Sequence, residues 1–84
     1  MYQSAINQLT IAIQMQPNHL KALWTRTLAY LQLGRYQQAI WDLDQLILLD
    51  PELSTHYVHR GSAYARLGYT ALAPQDYTHA IWLF

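Results

Sequence analysis

Cysteine is absent from the 84 residues, which excludes disulfides and thiolate-held metals and agrees with a reducing, cytoplasmic setting. Charge is scarce as well: Asp, Glu, Lys and Arg make up 12% of the chain, about half the usual share. The five basic residues (Lys21, Arg26, Arg35, Arg60, Arg66) and five acidic ones (Asp42, Asp44, Asp50, Glu52, Asp76) are scattered and sum to zero. Without a basic stripe to neutralise phosphates, nucleic acid is not an expected partner. Long apolar runs are missing too. The longest, Leu46 to Leu49 and Ala80 to Phe84, fall far short of the roughly 20 residues of a spanning helix, so no membrane partner is expected. Met1 to Gln16 has no basic residue and mixes polar with apolar side chains, unlike a secretory signal, and reads as folded structure. No nucleophile elbow, phosphate-binding glycine loop or paired carboxylates occur, so neither catalysis nor a cofactor is expected.

What the chain has is apolar surface, 52% of its residues, and an internal repeat. Set against itself at an offset of 34, Leu20 to Asp50 matches Ser54 to Phe84 at nine of 31 positions: Arg26/Arg60, Ala29/Ala63, Tyr30/Tyr64, Leu33/Leu67, Gly34/Gly68, Ala39/Ala73, Asp42/Asp76, Ile47/Ile81 and Leu49/Leu83. Run backwards, the same offset pairs Tyr2 with Tyr36, Ala5 with Ala39, Leu9 with Leu43 and Pro17 with Pro51. The chain thus divides into the second half of a unit (1–19), a complete unit (20–53) and a nearly complete one (54–84), taken together as one domain.

Inside a unit the apolar residues step by three and four, as on one face of a packed helix. Gly34 and Gly68 suit helix C-termini, Pro17 and Pro51 the other turns, and Asn18 and Ser54 the N-caps of the helices that follow. The pattern predicts five helices near 2–15, 20–33, 37–49, 54–67 and 71–84, antiparallel because the turns are short. Pro74 falls inside the last, so that helix must begin late or bend. Ala39, Ala73 and Gly61 mark close helix crossings, and Thr27, in place of a smaller residue, implies looser packing. The repeated Arg26/Arg60 and Asp42/Asp76 are expected to pair across helices.

In period and in the order Leu23, Tyr30, Gly34, Tyr36, Ala39, Leu43, Leu46, Pro51, then Tyr57, Gly61, Tyr64, Gly68, Ala73, Tyr77, Ala80, the chain resembles the tetratricopeptide repeat. The resemblance implies an all-α, right-handed superhelical solenoid of five antiparallel helices. It also implies a scaffold or adaptor whose concave groove binds a peptide or helix of another protein. Carried over, the groove would be lined by Lys21, Trp24, Thr25, Leu28, Leu31 and Gln32, then Thr55, Val58, His59, Ser62, Ala65 and Arg66. Members that grip a C-terminal carboxylate place lysine and asparagine where Trp24, Leu28, Thr25 and His59 stand here, so an apolar ligand is expected instead. The rival reading is a stacking or self-assembly segment of a longer array with no groove ligand. Homo-oligomer contacts or neighbouring repeats would then use Trp41, Trp82 and Phe84. His56 and His59, three apart, are expected to be ordinary surface histidines and no metal is expected, because no further ligand completes a set.

Overall fold

The computed structural model describes residues 1–84 and is helical throughout: α1 Tyr2–Met15, α2 Leu20–Gln32, α3 Tyr36–Leu49, α4 Ser54–Arg66 and α5 Leu72–Leu83. Each helix packs chiefly on its neighbours in sequence, giving a flat slab of 34 × 24 × 15 Å. No helix is long and apolar enough to cross a membrane.

The turns explain the helix ends. Gly34 and Gly68 adopt φ +73° and +86°, the left-handed region open to glycine. After each, the chain folds back in the same way. Arg35 N–H bonds the Tyr30 carbonyl and Gly34 N–H the Leu31 carbonyl; Tyr69 and Gly68 repeat this on Tyr64 and Ala65. These are paired Schellman bonds that satisfy carbonyls otherwise left free at a helix end.

The N-caps differ from the expectation. At α2 the cap is His19, whose Nδ1 accepts from Ala22 N–H at 3.1 Å, while Asn18 lies in the preceding turn. At α4 the cap is Leu53, with no side-chain bond, and Ser54 is the first helical residue. Preferences for capping residues locate a helix start only to within a residue or so, and both turns shift it by one. Pro74 delays α5. It is the third residue of that helix, among the first four whose N–H has no intrahelical partner, so its missing donor costs little there. In repeat register α5 begins two residues later than α3.

The largest fully buried apolar side chains, Leu23, Leu43 and Leu46, join α2 to α3, with Ile13 and Trp24 packed against them. Ala39, Ala63 and Ala73 are buried at helix crossings. Gly61 sits against α5: a Cβ there would lie 2.9 Å from Tyr77 Cε1 and 3.2 Å from the Ala73 carbonyl oxygen. Thr27 is buried at the equivalent crossing, its hydroxyl donating to the Leu23 carbonyl at 2.8 Å. That bond satisfies the hydroxyl that burial would otherwise leave without a partner.

Two arginines lock the stack. Arg26 on α2 donates from Nε and Nη2 to both Asp42 oxygens on α3, at 2.8 and 2.6 Å, and from Nη1 to the Thr10 hydroxyl on α1 at 3.1 Å. Arg60 on α4 does the same 34 residues later, taking both Asp76 oxygens on α5 at 2.9 and 2.8 Å and Asp44 on α3 at 2.9 Å. Each guanidinium therefore ties three helices together, sixteen residues forward and sixteen back. The Asp42 and Asp76 side chains are only 5% and 7% exposed. Bidentate, nearly buried pairs of this kind fix geometry as well as charge. These hydrogen bonds outweigh desolvation and raise both guanidinium pKa values above the ordinary arginine value.

Candidate functional site

The side of the slab formed by α2 and α4 carries the residues expected to line a groove. On α2, Lys21, Thr25, Leu28 and Gln32 are exposed, and Trp24 and Leu31 half-buried. On α4, Val58, Ser62, Ala65 and Arg66 are exposed, and Thr55 and His59 half-buried. Some of these side chains are already engaged within their own helices. The Thr25 hydroxyl donates to the Lys21 carbonyl at 2.7 Å, and His59 Nδ1 lies 2.9 Å from the Thr55 carbonyl, which makes that nitrogen the protonated one.

Trp24 is the hub. Its ring stands 5.0 Å from that of His59, edge to face, and 5.7 Å from that of His56, so the indole spans from α2 to α4. Beside it opens a hollow of ≈ 300 Å³, lined by Leu20, Lys21, Trp24, Leu46, Asp50, Leu53 and His56. Only Lys21 and Trp24 of this set were legible as groove residues. Of the other five, Leu20 opens α2, and Leu46, Asp50, Leu53 and His56 come from the α3–α4 turn and the helix ends beside it, which the period folds under α2. Its walls are mainly aliphatic and aromatic, with one ammonium and one carboxylate at hand, a form suited to taking up an apolar side chain.

Two placements depart from the expected groove. Val58 lines a second hollow, with Ser54, Tyr77, Ala80, Ile81 and Phe84, on the outer side of the α4–α5 pair. Arg66 holds its guanidinium 6.0 Å from the Tyr36 ring centroid, a cation–π contact with α3. The assembly candidates lie in the open: Trp41 is 60% exposed, Trp82 84%, and Phe84 fully so.

His56 is not a surface histidine. It is buried at the first turn of α4, its Nδ1 without a partner and its Nε2 3.6 Å from Asp50 Oδ2. Burial lowers its pKa below the ordinary 6.5, with Asp50 partly opposing and neighbouring His59 assisting. The native state therefore binds fewer protons than the unfolded chain once the pH falls below about 6.5, and stability drops with pH. That loss levels off below the lowered native value. In urea melts between pH 7.5 and 5, His56→Gln is expected to flatten this part of the profile; an unchanged slope would show that His56 does not cause it.

Paired helices stacked in register by arginine brackets, with an apolar hollow on one face, define a helical-repeat module. Residues 4–82 match the family model BTAD, described as Bacterial transcriptional activator domain. The second TPR of Spaghetti (RPAP3), bound to HSP90 peptide SRMEEVD, superposes with a TM-score of 0.88 at 32% identity, over 99% of this chain and 77% of that one. The second TPR domain of human RPAP3, in complex with HSP70 peptide SGPTIEEVD, gives 0.89 at 33%, over 98% and 68%. MamA gives 0.91 at 26% identity, over 98% of this chain and 48% of that one. The chain thus belongs to the bacterial transcriptional activator domain family and has the right-handed tetratricopeptide-repeat solenoid fold. Among curated relatives, DnaJ homolog subfamily C member 7 of Mus musculus is 29% identical over 98% of this chain. Small glutamine-rich tetratricopeptide repeat-containing protein 2 of Mycosarcoma maydis is 31% identical over 95%. The chain spans 17% and 21% of those two proteins' own lengths.

Proposed function

We propose that the chain is a non-catalytic scaffold or adaptor module, working as one unit over residues 1–84 in the cytoplasm, which holds a peptide or helix of a partner protein against the α2–α4 wall. The observation that carries this reading is the open, mainly apolar hollow beside Trp24. A half-buried tryptophan rimmed by leucines is the kind of anchor that dominates binding energy at small interfaces. Related domains of the same fold have peptides bound, SRMEEVD and SGPTIEEVD, and they lend support to a peptide ligand here. Those peptides are acidic. This wall instead sets Trp24 and Leu28 among few charges, with Asp50 beside Lys21, so the ligand proposed has an apolar anchoring side chain.

The test is selection of peptides from a random display library on the immobilised chain. Trp24→Ala is expected to weaken the selected peptides at least about tenfold. Leu28→Glu, at an exposed wall position whose change leaves the core intact, is expected to do the same, whereas Trp41→Ala should change affinity by less than about twofold. Full affinity in both wall variants would show that the ligand binds elsewhere.

A further inference from the structure

The hollow beside Trp24 is walled by Leu20, Leu46 and Leu53, yet it holds three polar groups whose bonds the protein leaves open. His56 is buried with Nδ1 enclosed and unpartnered, so its ring can meet a ligand only through the Nε2 edge. That nitrogen stands 3.6 Å from Asp50 Oδ2, beyond hydrogen-bond length, and facing a carboxylate it is the one that carries the proton of the neutral ring. Asp50 is open to approach, its side chain 43% exposed. Lys21 lines the same hollow, and no ion pair ties its ammonium to Asp50. An incoming group therefore has two donors and one charged acceptor to satisfy.

A carboxylate tip would face the like charge of Asp50. An ammonium or guanidinium would face that of Lys21 and offer nothing to the two donors. A wholly apolar tip would strip water from Asp50 and His56 without replacing its bonds. A hydroxyl has one proton to give and two lone pairs to receive. One oxygen can reach both Asp50 and His56 at ordinary lengths of about 2.7 to 3.0 Å, since the two stand 3.6 Å apart. The leucines and the Trp24 ring call for a large apolar body behind that hydroxyl, which serine, threonine and the side-chain amides lack. We infer that the side chain anchored in this hollow is a tyrosine of the partner peptide, its ring against Trp24 and the leucines, its hydroxyl donating to Asp50 and accepting from His56 Nε2–H or Lys21. This rests on the proposal that the hollow holds one side chain of a bound peptide. Its ≈ 300 Å³ suits a single anchor, at the lower end of the roughly 300 to 1,000 Å³ of ligand pockets.

The experiment is a shift titration of the 15N-labelled chain with N-acetyl-tyrosine amide and with N-acetyl-phenylalanine amide, which differ by the hydroxyl alone. Expected are changes centred on Trp24, Asp50, Leu53 and His56, with the tyrosine compound binding roughly three- to tenfold tighter, because a site built around a hydroxyl discriminates against its absence. Asp50→Ala should bring the two compounds to equal affinity without weakening the phenylalanine one. Asp50→Asn, which keeps an acceptor oxygen in place, should retain part of the preference. Equal affinity in the unaltered chain, a preference that survives Asp50→Ala, or no changes at the hollow would overturn the tyrosine anchor. Display selection separates this from failure of the peptide-binding proposal. Selected peptides that perturb the α2–α4 wall but need no tyrosine would overturn the anchor alone, whereas tyrosine amide seated in the hollow with no peptide selected would support the hollow's preference and overturn the wider proposal.

Discussion

Asp42→Ala is expected to destabilise the chain by about 3 kcal/mol or more, the usual cost of removing one partner of a buried, hydrogen-bonded charge pair. Arg26 would be left at the α1–α2–α3 junction with only the Thr10 hydroxyl as acceptor, and half-buried, so water compensates poorly. For a domain this small, 1 kcal/mol corresponds to roughly 4 to 8 °C in Tm, so the melting temperature should fall by more than about 10 °C. The control is the double variant Arg26→Met with Asp42→Leu. It removes both charges and keeps the volume, and should recover most of the loss, because apolar replacement of a whole buried pair is often neutral or better. A single-variant shift of under a degree or so would mean that the bracket is solvated and adds little.

Gly61→Val is expected to cost about 3 kcal/mol for a different reason. The added Cβ alone meets Tyr77 Cε1 at 2.9 Å, Tyr77 Cδ1 at 3.1 Å and the Ala73 carbonyl oxygen at 3.2 Å. The tyrosine ring can swing away, since it is partly exposed. The backbone oxygen cannot move without displacing α5, and the branched valine adds two further methyl groups to the same space. Gly61→Ala should be milder, because helix propensity gained in the middle of α4, close to 1 kcal/mol, offsets part of the clash. Thermal melts of the two variants check this: valine should melt far lower than alanine, and similar curves would mean that α4 and α5 adjust freely.

Much of this was legible because the repeat states each constraint twice. Gly34 and Gly68, with Pro17 and Pro51, fix where helices can end, and all five helices fall within about two residues of the places they imply. Arg26/Asp42 and Arg60/Asp76 recur at the same spacing, which marked them as partners before any contact was known. The third arm of each bracket was not legible, since Thr10 and Asp44 differ in chemistry and pair only across the stacking of one unit on the next. His56 was misjudged for a related reason. Two histidines three apart share a helix side, but whether that side meets α3 and Trp24 or water depends on how α4 is rotated, which periodicity in a mixed-polarity helix leaves open. Of the groove residues, the wall positions Lys21, Thr25, Leu28, Gln32 and Ser62 stand exposed, whereas Val58 serves the outer face and Arg66 turns to Tyr36. The hollow itself needed Leu46, Asp50, Leu53 and His56, residues whose inward placement is set by the α3–α4 turn.

The proposal that the stacked helix pairs leave α2 and α4 free to grip a ligand is tested most directly by amide shift mapping of the 15N-labelled chain with a display-selected peptide. The account predicts saturable changes at Lys21, Trp24, Leu28, Thr55 and His59, with Trp41 unmoved. Changes centred on Trp41, or no selected peptide that perturbs the α2–α4 wall, would contradict it.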